Sequence, residues 1–126
     1  MNQNVKTAFY SAFLFLFAMT SVAQSAEVAD GAKRISGDEI AKITSDHSWI
    51  SEKFSIYHSS PEKRTVYFGS KEKTTKHWVE NGEYCAESIR GGTVCAEVYK
   101  KPNGHFQVLV AKTGKLFNVE VLKGKQ

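Results

Sequence analysis

Two cysteines and two glutamates share one offset in this 126-residue chain: Cys85 precedes Glu87 as Cys95 precedes Glu97. A pair of carboxylates is the minimum equipment for glycoside hydrolysis, one as acid and the other as base or nucleophile. The same pair can serve instead as a polar floor that receives a cationic or hydroxylated ligand. Two cysteines at this separation read as a disulfide in an oxidising compartment. Closing a loop of about 11 residues removes unfolded-state entropy worth about 2.7 kcal/mol in the chain-entropy model. His47, His58, His77 and His105 fall at no metal-ligand spacing, and neither His-x-x-x-His nor Cys-x-x-Cys occurs. Gly-x-Ser-x-Gly, a phosphate-cradling glycine loop and a nucleotide fingerprint are also missing. No metal and no cofactor are expected, and binding is favoured over catalysis.

The elements that must position these residues are strands. Asn81-Gly82 is the strongest short hairpin signal in the chain, because a type I′ turn needs φ > 0 at both central residues. That turn sets Val79 opposite Tyr84 and Trp78 opposite Cys85. A second hairpin centred on Arg90, within Arg90-Gly91-Gly92, sets Cys85 opposite Cys95 and predicts their disulfide. From Trp49 onward apolar residues recur with period two, broken by turn residues about every ten positions. Strands are expected near 49–57, 64–69, 74–80, 83–88, 93–100, 105–112 and 116–122. Connections this short make sequence neighbours pair antiparallel. The expected fold is all-β: one antiparallel meander of about seven strands.

Two-residue turns at Asn103-Gly104 and Thr113-Gly114 would set Tyr99 opposite Val108 and Val108 opposite Val119. One face then collects Cys85, Cys95, Tyr99, Phe106, Val108, Val110, Phe117, Val119 and Val121. The other carries Val79, Tyr84, Ala86, Val94, Ala96, Val98 and Leu109, less polar than an open solvated face should be. Closure into a small barrel accounts for two apolar faces and removes the edges. In this register Glu87 and Glu97 point into the core, where an ionised carboxylate costs several kcal/mol unless paired. They are expected either to form a ligand-binding floor with Trp78 and Tyr99, or to sit near a barrel mouth. His77 pairs with Ala86 and faces away from Cys85, which excludes a Cys–His nucleophile.

Residues 1–23 read as a signal peptide. Lys6 supplies the positive end, residues 8–18 an apolar run of about ten, and Ser21-Val22-Ala23 a small-residue cut site, with Ala26 as a second. The run is shorter than the roughly 20 residues a membrane span needs. The mature chain is therefore expected to be periplasmic or secreted, without an integral membrane segment. Residues 24–34 form a lead-in and residues 35–126 one domain. That domain opens with a short helix from Ser36-Gly37-Asp38-Glu39, capped by Ser36 or Asp38. The formal net charge is +4, with 17 Lys and Arg against 13 Asp and Glu interspersed along the chain. This is not the footprint of a nucleic-acid binder.

In a meander every second turn shares one end of the sheet. Lys71, Lys73, Arg90, Lys112 and Lys115 thus gather at one end, with Glu72 against them. Such a cluster suits anionic headgroups or an acidic polymer. The run His77-Trp78-Val79-Glu80-Asn81-Gly82-Glu83-Tyr84-Cys85, followed by Val94-Cys95 and Pro102-Asn103-Gly104-His105-Phe106, resembles a family of small exported bacterial proteins classed as a domain of unknown function. The resemblance covers roughly residues 36–124. It implies an exported β-rich domain with a disulfide and transfers no catalytic residues. The expected roles are a binding protein for a small ligand or envelope component, then a protein-interaction module such as an inhibitor, then a hydrolase using Glu87 and Glu97.

Overall fold

In the computed structural model, residues 27–126 are described. The signal peptide expected at residues 1–23 therefore lies outside the described residues. The elements in order are β1 (Lys33–Arg34), α1 (Gly37–Lys42), β2 (His47–Ile50), β3 (Ser55–His58), β4 (Lys63–Phe68), β5 (Lys71–Glu80), β6 (Glu83–Glu87), β7 (Thr93–Lys100), β8 (Phe106–Val110) and β9 (Lys115–Lys123). Each strand from β2 to β9 pairs antiparallel with the next, and β9 returns to pair with β2, Trp49 opposite Val121. The result is a closed barrel of eight strands. β1 adds to β7 beyond the end of β6, with Arg34 opposite Tyr99. Part of the expected lead-in is thus ordered as a ninth strand.

Local chemistry accounts for the turns. Asn81 and Gly82 both have positive φ, at 52° and 75°, and Trp78 lies opposite Cys85 as expected. The Arg90 hairpin also forms, with Ser88 N–H donating to Gly92 C=O, and the Cys85–Cys95 disulfide joins β6 to β7. The run read as one strand at 49–57 is two. Ser51 N–H donates to Phe54 C=O at 2.8 Å and folds the chain back without a glycine, proline or asparagine to announce it.

The third glycine turn corrects the core assignment. Lys101, not Pro102, closes the β7–β8 hairpin, its N–H donating to His105 C=O at 2.8 Å. A two-residue turn at Asn103-Gly104 would need the missing N–H of Pro102 for that bond. The loop instead has three residues. Pro102 supplies the fixed φ of a type I turn and Gly104, at φ 91°, the left-handed residue after it. Val98 therefore faces Val108, one position from the expected register. A one-residue slip exchanges the faces of a strand. The interior takes Tyr84, Ala86, Val94, Ala96 and Val98 from β6 and β7, while Cys85, Cys95, Glu97 and Tyr99 lie outside. The β8–β9 turn spans four residues instead of two, so Val108 faces Phe117. That shift of two leaves Val108, Val110, Phe117 and Val119 inside.

The helix starts at Ser36, whose N–H donates to Glu39 Oε1. A side chain at Gly37 would lie 3.0 Å from Val79, so glycine permits close approach to β5. Ile40 is fully buried with the barrel interior, and the Trp49 indole donates to Ile43 C=O at 2.7 Å. Helix α1 thus covers the end of the barrel that carries the β3–β4, β5–β6 and β7–β8 turns. The opposite end carries the other four turns.

Candidate functional site

Inside the barrel is a cavity of about 380 Å³, within the range of small-ligand sites. Trp49 and Tyr84 stand toward its floor, their rings 4.6 Å apart. Val66, Ala86, Ala96, Val108 and Val119 line the wall. The two alanines matter here, because Ala96 lies opposite Tyr84 and leaves room that a larger side chain would fill. Phe54, Phe68, Ile89, Val110 and Phe117 line the part nearer the uncovered end, with Lys53 beside them. Alternation along each strand delivers these residues inward, so the cavity follows from the register.

Below the floor lies a chain of buried polar groups. His58 Nδ1 is 3.0 Å from His47 C=O, so that nitrogen carries the proton and donates. Its Nε2 then accepts from the Tyr84 hydroxyl at 2.8 Å, and the same hydroxyl accepts from Arg64 Nη1 at 3.3 Å. Burial pushes His58 down to about 3, keeping the imidazole neutral. Burial also lowers His77, whose Nε2 donates to Ser60 C=O at 2.8 Å. Burial raises the Tyr84 phenol, against an opposing pull from Arg64. The order is Arg64 to Tyr84 to His58 to His47, each donor meeting an acceptor.

Arg64 is half-buried and lines the cavity. Its Nε donates to Thr75 Oγ1 at 2.9 Å and its Nη2 to Glu87 C=O at 3.1 Å. Among the described residues no carboxylate lies within 4.0 Å of it; the ion pairs are those of Arg34 with Glu83 and Glu97. It also bridges a seam in the wall. β5 pairs with β4 along Lys71–Lys76 and with β6 along His77–Glu80, so its first half has no ladder toward β6. Side chains close that gap: Arg64 on Glu87 C=O, Lys73 Nζ on Ile89 C=O at 3.0 Å, and Glu87 Oε1 accepting from Lys76 N–H at 3.0 Å.

The residues expected to hold a ligand do not share the interior. Trp78 donates to Glu80, Tyr99 donates to Glu97, and Glu87 is exposed. All four lie on the outer face because the Pro102 turn reverses the assumed parity. Glu97 is level with Glu83, four residues from Glu87 along β6, about 13 Å at ~3.3 Å per residue. That exceeds the roughly 5–9.5 Å of a glycosidase pair, and the two carboxylates do not converge on one cleft. Glu83, Cys85 and Cys95 group closely enough to suggest metal ligands, but the disulfide occupies both sulfurs.

The expected cation cluster falls around the cavity's uncovered end. Lys71, Lys73, Arg90, Lys112 and Lys115 come from three of its turns or their flanking strands, and Lys53 joins them from the fourth, against Glu52 and Glu72. Sequence reading missed the cavity residues Arg64, Tyr84, Trp49, Phe54 and Phe68 as a site. A signal was present for Arg64: Arg64, Val66 and Phe68 alternate on one face, and a cation in an apolar row calls for a reason. No helix among the described residues is long and apolar enough to cross a membrane. No family model, curated protein or solved structure matches the chain.

Proposed function

We propose that this is a small exported, non-catalytic binding protein that takes an apolar ligand into its barrel. The observation that carries the reading is the cavity, walled by apolar side chains and covered at one end by α1. Small closed barrels of eight strands are either filled by side chains or hold one small ligand. Here Ala86 and Ala96 leave the space unfilled. The disulfide supports an oxidising, periplasmic or secreted destination, as does the resemblance to small exported domains. The six cations at the uncovered end against two glutamates support approach to an anionic envelope surface, from which an apolar ligand would be drawn.

The test uses N-phenyl-1-naphthylamine, a neutral probe that brightens in apolar surroundings. Saturable binding to the mature protein is expected. Val94→Trp, which places an indole in the upper wall, should weaken binding several-fold while leaving the unfolding midpoint near wild type. Ala96→Phe fills the space deeper down and should do the same. Absence of saturable binding, or equal binding by wild type and both variants, would refute an interior site.

A further inference from the structure

The cavity reading leaves one residue without a reason. An apolar pocket needs no guanidinium, and Arg64 lines this one with no carboxylate among the described residues within 4.0 Å to balance it. A charge taken partly out of water without a counter-ion is costly unless something restores the balance. Three neutral acceptors, Thr75 Oγ1, the Tyr84 hydroxyl and Glu87 C=O, hold the group in place without neutralising it. Guanidinium has five N–H donors in a fixed fork, so two remain for a further acceptor.

Resting on the cavity-binding reading, we propose that the ligand is a single-chain amphiphile whose anionic head group pairs with Arg64 while its tail fills the apolar cavity. Head-inward orientation follows from where the groups stand. Arg64 shares a hydrogen bond with Tyr84 toward the floor, whereas Phe54, Phe68 and Phe117 line the outer part and suit a chain terminus. The size agrees. At roughly 30 Å³ for a group the size of water, about 380 Å³ holds on the order of a dozen methylenes. The Tyr84 hydroxyl donates to His58, so it already acts as Arg64's acceptor and leaves the head group to the guanidinium. A carboxylate and a phosphate monoester share the chemistry that Arg64 would recognise.

The experiment displaces N-phenyl-1-naphthylamine from the mature protein with laurate, dodecyl phosphate and dodecanol at constant salt. One or both anions should displace the probe about tenfold better than the alcohol, the scale of one charge-assisted hydrogen bond. Which anion is stronger identifies the head group. Arg64→Met should remove the preference, read as the ratio of anion to alcohol displacement so that any change in probe affinity cancels. Lys71, Arg90 and Lys115 changed together to Gln should keep it. Should Arg64→Met not fold, Arg64→Lys retains charge without the fork and should lower the preference partially. Equal displacement by anions and alcohol in wild type would overturn the head-group assignment while leaving the cavity reading intact. Loss of preference in the triple variant with retention in the Arg64 variants would overturn the role of Arg64. No probe binding at all would overturn both readings.

Discussion

Acidification should destabilise this barrel through His58. The imidazole is fully buried, its Nδ1–H donates to His47 C=O, and its Nε2 must stay bare to accept from Tyr84. Its folded pKa is about 3 against 6.5 for the free side chain. Below pH 6.5 the unfolded chain takes up a proton that the folded chain refuses, so stability falls as pH falls. The contribution is fully present above pH 6.5 and is lost progressively down to about pH 3. At about 1.4 kcal/mol per pH unit, going from pH 7 to pH 5 removes about 2 kcal/mol through His58 alone. His77, also lowered by burial, adds loss of the same sign. For about 100 residues that corresponds to roughly 8–16 °C in thermal midpoint. Urea unfolding at pH 7 and pH 5, fitted with a common m value, measures it directly. Imidazole NMR should show one histidine that does not titrate above pH 4. His58→Gln should be less stable at pH 7 and show a shallower pH slope. A change below about 0.5 kcal/mol between the two pH values, or an unchanged slope in His58→Gln, would refute the argument.

Three other expectations are more direct. Changing both Cys85 and Cys95 to Ser should lower stability by about 2–3 kcal/mol in urea unfolding, since the closed loop is short. The cation ring should give salt-sensitive sedimentation with anionic vesicles, because charges within a Debye length of about 8 Å act jointly. Replacing Lys71, Arg90 and Lys115 with Gln should weaken it more than replacing Lys63, Lys101 and Lys123, and equal losses would leave only net charge. Intact-mass measurement of protein from the envelope fraction should show loss of the first 23 or 26 residues, and a full-length mass there would contradict cleavage.

Sequence and structure agree where a turn is decided by its own residues. Asn81-Gly82 supplies two positive φ angles, and the pairings of Trp78 with Cys85 and of Cys85 with Cys95 follow by counting. The same dipeptide at Asn103-Gly104 behaves differently because Pro102 cannot donate the closing hydrogen bond. That signal stood in the chain, one residue before the turn. A second signal stood beside it, since the wrong register demanded two buried carboxylates, and the structure removes the conflict by turning both to the outer face, where Glu87 is exposed and Glu97 pairs with Arg34. The break at Ser51–Phe54 was not legible, because a lone serine followed by Glu52 and Lys53 is a weak turn mark without glycine, proline, asparagine or aspartate beside it; the short β2–β3 hairpin also pairs with β9. Nor was the cavity legible. Its emptiness depends on where Ala86 and Ala96 fall around a closed cylinder, and curvature is not written in the period of any one strand.

Seven of the eight strand pairings that make this cylinder are hairpins between neighbours in the chain, and the eighth joins β2 to β9. That single distant pairing carries the largest individual loop-closure cost, about 4 kcal/mol for roughly 70 intervening residues. The hairpins can therefore assemble early as a curling ribbon, with the two cysteines already facing each other, while closure waits for the last strand. Until then β2 and β9 each show an unpaired edge that invites a neighbouring chain. The interval before closure is when this protein is most vulnerable to aggregation, and anything that delays residues 120–123 from reaching β2 lengthens it.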